Sequence, residues 1–127
     1  MRATLTASPR EFEASGVRIR DFGKVELGPW EMVTVATASG RECDVTATPW
    51  GLYLAPSLNG RLEAQGLRVA LVANGQGKLF LNAVEADRLE IFERYLKEQD
   101  GKVVRWLDGY APPRDFPGLS PEGEPAP

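Results

Sequence analysis

The chain has 127 residues, 43% of them hydrophobic and 26% charged, enough to bury roughly two thirds of its unfolded surface without disulfides or a structural metal. Histidine is absent and Cys43 is the single cysteine, which excludes His/Cys zinc sites, iron–sulfur clusters, intramolecular disulfides, and Cys–His or Ser–His–Asp catalysis. Fifteen Lys and Arg against eighteen Asp and Glu leave a net charge of −3, so no global positive field draws the chain onto nucleic acid or an anionic membrane.

Locally the balance shifts. Residues 49 to 84 are net positive, with Arg61, Arg68 and Lys78 against Glu63 alone, and residues 111 to 127 are net negative. The first residues lack the apolar run of a signal peptide, and no stretch approaches the ~18 apolar residues of a membrane span. The expectation is a cytoplasmic protein with no membrane partner, and a lone cysteine fits a reducing compartment.

In chain order, residues 1 to 14 read as a loose arm, because Pro9 interrupts a weak apolar pattern. From Val17 to Leu27 the period is two, with a break near Gly23; Gly28-Pro29 is a turn. Glu31 to Ala38 and Arg41 to Thr48 form two strands joined at Ser39-Gly40, the second carrying Cys43, Val45 and Ala47 on one face. After Pro49 the apolar parity flips to Trp50, Leu52 and Leu54, which predicts a long strand bent at a barrel corner. Pro56 to Gly66 is a connector with room for one helical turn. Leu67 to Ala73 and Lys78 to Leu81 flank the glycine-rich hairpin loop Asn74–Gly77. The period then changes to 3.6, with Leu89, Phe92 and Leu96 on one stripe. Asn82 and Glu85 resemble a capping box and Gly101 a C-cap, predicting a helix from about Ala83 to Gln99. Val103 to Leu107 is a last strand or an apolar strap.

Six of the ten prolines fall between Pro112 and Pro127, so the single domain is expected to end near Tyr110 and residues 111 to 127 to form a disordered, acidic, Pro-rich tail. The fold class is β-rich α+β: a small, mainly antiparallel sheet or a half-open barrel of five or six strands with one C-terminal helix. Three strands, a connector, two strands and a helix is the element order of an oligonucleotide/oligosaccharide-binding barrel with one helix added.

Little in the chain points to catalysis. Glu42 and Asp44 share a strand face and are the only carboxylate pair worth weighing against a divalent cation, although a solvated hairpin face explains them more simply. The Asn74–Gly77 loop lacks the Lys-Ser/Thr of a phosphate loop and opens no helix. Cys43 lies on the apolar parity and reads as a small buried hydrophobe. No enzyme activity, cofactor or metal is expected.

Two binding functions stand side by side. Arg18, Arg20, Arg68 and Lys78, with Tyr53 and Phe80, fall opposite the apolar parity of their strands, and a sheet face that interleaves cations with aromatics binds single-stranded nucleic acid. The same aromatics also serve as a second core under the helix, with the arginines guarding strand edges. The alternative function is a protein-interaction or assembly module, heteromeric or homo-oligomeric. Its contacts are Ile91 and Tyr95 on the flank of the helix and Phe116 in the tail, where Asp115-Phe116-Pro117 presents a short linear peptide. Trp30 and Trp106, each near a turn or chain end, are expected to seal the core.

Overall fold

Among the described residues eight strands and one α-helix are arranged in two compact units. The computed structural model describes residues 1–113, 115 and 116. The first unit comprises Met1–Val35 and Cys43–Ala55; the second comprises Ala36–Glu42 and the residues from Pro56 onward. The class is mainly-β α+β, with three small antiparallel sheets and no closed barrel among the described residues. No helix among them is long and apolar enough to cross a membrane.

The expected loose arm is a strand. β1 (Arg2–Ala14) pairs antiparallel with β2 (Val17–Glu26). The two are joined by Ser15 and Gly16, both at positive φ, the left-handed pair that a two-residue hairpin turn requires. Pro9 is absorbed by a bulge. The register jumps from Leu5↔Gly23 to Arg10↔Asp21, so the segment with Pro9 leaves the ladder and its missing N–H costs no hydrogen bond. Gly23 sits opposite with φ +127, where any Cβ would collide with the Thr4 carbonyl.

β3 (Met32–Ala36), β4 (Glu42–Thr48) and β5 (Gly51–Ala55) form the second sheet in that order. The parity flip after Pro49 has a simpler cause than a barrel corner. Thr48 pairs with Gly51, so Pro49-Trp50 is a two-residue hairpin turn. Across such a turn, odd positions face even ones: Val45 meets Leu54 and Ala47 meets Leu52, all on one sheet face. Trp50, expected to point inward, is on the turn and 69% exposed.

The second unit holds the core. β6 (Leu67–Ala73) lies between β7 (Leu79–Glu85) and β8 (Lys102–Trp106). Its two faces bury separate clusters. Ala70 and Val72 join Val84, Leu89, Leu96, Val103, Trp106 and Phe116. Leu67 and Val69 pack with Leu62 and Leu58 from a helical turn at Leu58–Leu62 capped by the Ser57 hydroxyl. β7 runs on to Glu85 because β6 pairs with it along its whole length, Leu67↔Glu85 included. Asn82 therefore belongs to a strand, and the 13-residue helical segment begins later: a tight turn at Ala86–Arg88 leads into α1 (Leu89–Glu98). Leu89 and Leu96 are buried and Phe92 packs beside them, the stripe that the 3.6 period predicts. At the C-cap the left-handed residue is Asp100, with φ 52, and Gly101 donates its N–H to the Leu96 carbonyl at 2.7 Å.

Composition ends the domain near Tyr110 and leaves Phe116 free for a partner; the structure carries the core further. Phe116 is 4% exposed, with its ring 5.8 Å from Phe92 and 5.6 Å from Trp106. Trp106 is buried as expected. An apolar side chain that closes an aromatic cluster contributes whether or not regular structure surrounds it. Arg114 and residues 117 to 127, and with them most of the expected tail, lie outside the described residues. Phe116→Ala should lower the free energy of unfolding by about 3–5 kcal/mol in urea titrations followed by Trp106 fluorescence. Truncation after Tyr110 should do the same.

Candidate functional site

The six residues expected to bind nucleic acid are spread over both units. Arg18 and Arg20 lie on β2, Tyr53 on β5, Arg68 on β6 and Phe80 on β7, with Lys78 just before it. Arg18 is paired with Glu11 at 3.0 Å, and Arg20 covers the Phe22 ring at 5.9 Å. Tyr53 and Phe80 are each about half exposed, so neither forms a second core. The strands that carry or adjoin the six residues belong to three different sheets.

Arg68 is committed to the fold. Its guanidinium reaches Glu63 at 3.1 Å and Asp108 at 3.0 Å, and its Cζ lies 4.3 Å from the centre of the Tyr110 ring. The Asp108 carboxylate is fully buried and also accepts the N–H groups of Val69 and Tyr110, each at 3.1 Å. Its partners make a staple that ties β6 to the segment after β8. Burial raises the Tyr110 phenol above its ordinary value, with Asp108 adding to the shift and Arg68 opposing it. Sequence gave no local signal for this pairing, because the two ends of the staple are 39 or more residues apart.

Asp44 is engaged locally, and at Glu42 it is the backbone that is bonded. Asp44 accepts the Thr34 hydroxyl at 2.7 Å, and the Glu42 backbone exchanges hydrogen bonds with the Gln65 amide at 2.8 and 2.7 Å. Among the described residues no group of three or more Cys, Asp or Glu is placed to hold a metal ion. Cys43 is half-buried; burial, and then the Asp44 charge, pushes its thiol up, which keeps it protonated and poorly nucleophilic.

Two surfaces remain. The first is a groove of about 540 Å³ in the second unit, lined by Leu81 to Glu85 of β7 and by Ile91, Phe92 and Tyr95 of α1, with Thr37 and Arg88 beside them. Ile91 and Tyr95 sit off the buried stripe and are both exposed, so they form one wall of this groove. At its end Glu85 is a node: Arg41 at 3.1 Å, Arg88 at 2.8 Å and the Ser39 hydroxyl converge on its carboxylate. Arg41 also reaches Asp87 at 3.3 Å and the Gln65 carbonyl at 2.9 Å. These contacts hold the turn at Thr37–Arg41 in the second unit.

The second is a set of exposed apolar side chains distributed over both sheets of the first unit. Leu5, Phe12, Val17, Ile19, Phe22 and Val25 on β1 and β2, and Val35, Leu52 and Leu54 on the other sheet, are all exposed. Trp30, expected to seal a core, is exposed as well, at positive φ in a turn whose N–H reaches the Ala47 carbonyl at 2.7 Å. No apolar side chain of this unit is buried.

Searches against protein-family models, curated proteins and solved structures find no match to this chain.

The Glu85 node has a pH signature. The Ser39 hydroxyl, then Arg41 and Arg88, hold the Glu85 carboxyl below its usual range against the opposing effect of burial. Stabilisation from a lowered carboxylate pKa is present above the unfolded value and is lost as pH falls through the folded one. Hydrogen-exchange protection at the Thr37, Gly40 and Glu42 amides should hold steady near neutrality and fall as pH drops below about 4. In Glu85→Gln those amides should be poorly protected already at neutral pH, with the acid-dependent step much reduced.

Proposed function

We propose that this chain is a non-enzymatic protein-interaction module in which the first unit completes its fold against another protein surface. The observation that carries this reading is a unit with two sheets, many exposed large apolar side chains and no buried one. Two-stranded and three-stranded sheets are marginal in water without a hydrophobic face packed on something. The exposed aromatics Phe12, Phe22, Trp30, Trp50 and Tyr53 are the residue types that dominate the energetics of protein interfaces.

Electrostatics weigh the same way. The chain is net negative, Arg18 is neutralised by Glu11 and Arg68 by Asp108 and Glu63. The nucleic-acid alternative leans on the element order of an oligonucleotide-binding barrel, whereas the strands here divide among three sheets.

Photoreactive benzoylphenylalanine placed at Phe12, Phe22 or Trp50 should cross-link to protein, while the same residue at the solvent-facing Glu90 should not. Labelled single-stranded DNA should show no binding even at low salt. Affinity that falls with salt at a log–log slope of about −0.7 per phosphate contacted would instead establish the nucleic-acid function.

A further inference from the structure

We propose that the second unit pairs with a second copy of itself through β7, edge to edge and antiparallel about Asn82. This goes beyond the reading of the first unit and does not depend on it.

The two edges of the β7-β6-β8 sheet differ. β8 carries Lys102 and Arg105 and meets β6 with a register shift, which are devices that discourage strand addition. β7 has no bulge, no proline and no charge before Glu85, and Leu79, Phe80 and Leu81 are each at least half exposed. A regular, apolar, uncharged edge is a template for another strand.

Hydrogen-bond alternation fixes which residues face outward. Asn74 donates to the Lys78 carbonyl at 2.9 Å at one end of the β6–β7 ladder, and Ala86 donates to the Gly66 carbonyl at 2.8 Å at the other. Between these, the register Val72↔Phe80, Ala70↔Asn82 and Arg68↔Val84 uses the backbone groups of Phe80, Asn82 and Val84. The N–H and C=O groups of Leu79, Leu81, Ala83 and Glu85 therefore point away from β6. An antiparallel copy centred on Asn82 sets Leu79 against Glu85 and Leu81 against Ala83, so this one register satisfies all four residues twice over.

Side chains agree with that register. Opposed residues share a sheet face, so Phe80 of the second copy falls opposite Val84, which lines the groove between β7 and α1. The half-exposed Phe80 thus gains the Ile91 and Tyr95 wall as its cover, and the relation is reciprocal, as a two-fold interface requires. Lys78, exposed and without an ion pair among the described residues, comes beside the Glu85–Asp87 end of the other copy.

Sedimentation of the full chain over a concentration series should show a monomer–dimer equilibrium. Leu81→Lys with Ala83→Lys, both at exposed positions, sets lysine against lysine twice and should raise the dimer dissociation constant about tenfold or more. Asn82 faces its own copy at a non-hydrogen-bonded position, where Cα atoms lie about 4.5 Å apart. Asn82→Cys in a Cys43→Ala background should therefore form a disulfide-linked dimer with oxidised glutathione, and Gln76→Cys in the same background should not. A chain monomeric up to its solubility limit would overturn the proposal. So would a dimer indifferent to the lysine pair, or an Asn82→Cys variant that does not cross-link.

Discussion

Burial of β6 on both faces is the constraint on which the second unit depends. Ala70 and Val72 point into the cluster with Trp106, Phe116 and α1, while Leu67 and Val69 point into the smaller cluster under Leu58 and Leu62. A strand covered on both sides reads as an unbroken apolar run, which Leu67 to Ala73 is apart from Arg68. Arg68 is tolerated because the buried Asp108 carboxylate receives its charge. Removing one partner of such a pair strands the other without solvent, at a cost of about 3–5 kcal/mol. The central strand thus organises two hydrophobic layers and one ionic staple.

The first unit is built on other terms. Its hairpin carries Arg10–Asp21, Arg18–Glu11 and Lys24–Glu26 ion pairs, and every one of these side chains is substantially exposed. Exposed pairs contribute roughly 0–1 kcal/mol each. Backbone pairing and turn geometry set its shape, and no hydrophobic layer accompanies them. One chain therefore joins a unit with its own core to a unit whose apolar surface is left outward.

Elements whose signal is local were legible in the sequence. The helix declared itself because Leu89, Phe92 and Leu96 repeat at the helical period, and the same spacing marked Ile91 and Tyr95 as lying off the buried stripe. Local pattern starts it three residues early, since Asn82 and Glu85 imitate a cap while β6 holds them in a ladder. The bend after Pro49 and the hairpin found there produce the same parity flip, and only the pairing Thr48↔Gly51 separates them. What the sequence could not convey was which alternating faces would be covered. Trp30, Trp50 and Phe116 illustrate the difficulty: local pattern points the first two inward and they lie outside, and it points the third outward and it lies within. Burial is decided by partners far along the chain, and strand parity likewise says nothing about which strands share a sheet, so the basic and aromatic positions are found on strands of three different sheets.

The division of the chain has a consequence for its modularity. The turn at Thr37–Arg41 belongs with the second unit although β3 and β4 on either side belong mostly to the first. The backbone accordingly passes from first unit to second, back, and across again. A single cut after Ala55 keeps every residue of the first unit but splits the second: a fragment starting at Pro56 would lack Arg41 and Ser39, leaving Glu85 with Arg88 as its remaining ion-pair partner. The second unit is therefore not transferable as a whole by recombination at one breakpoint: it travels only with the β-strands that flank its Thr37–Arg41 turn.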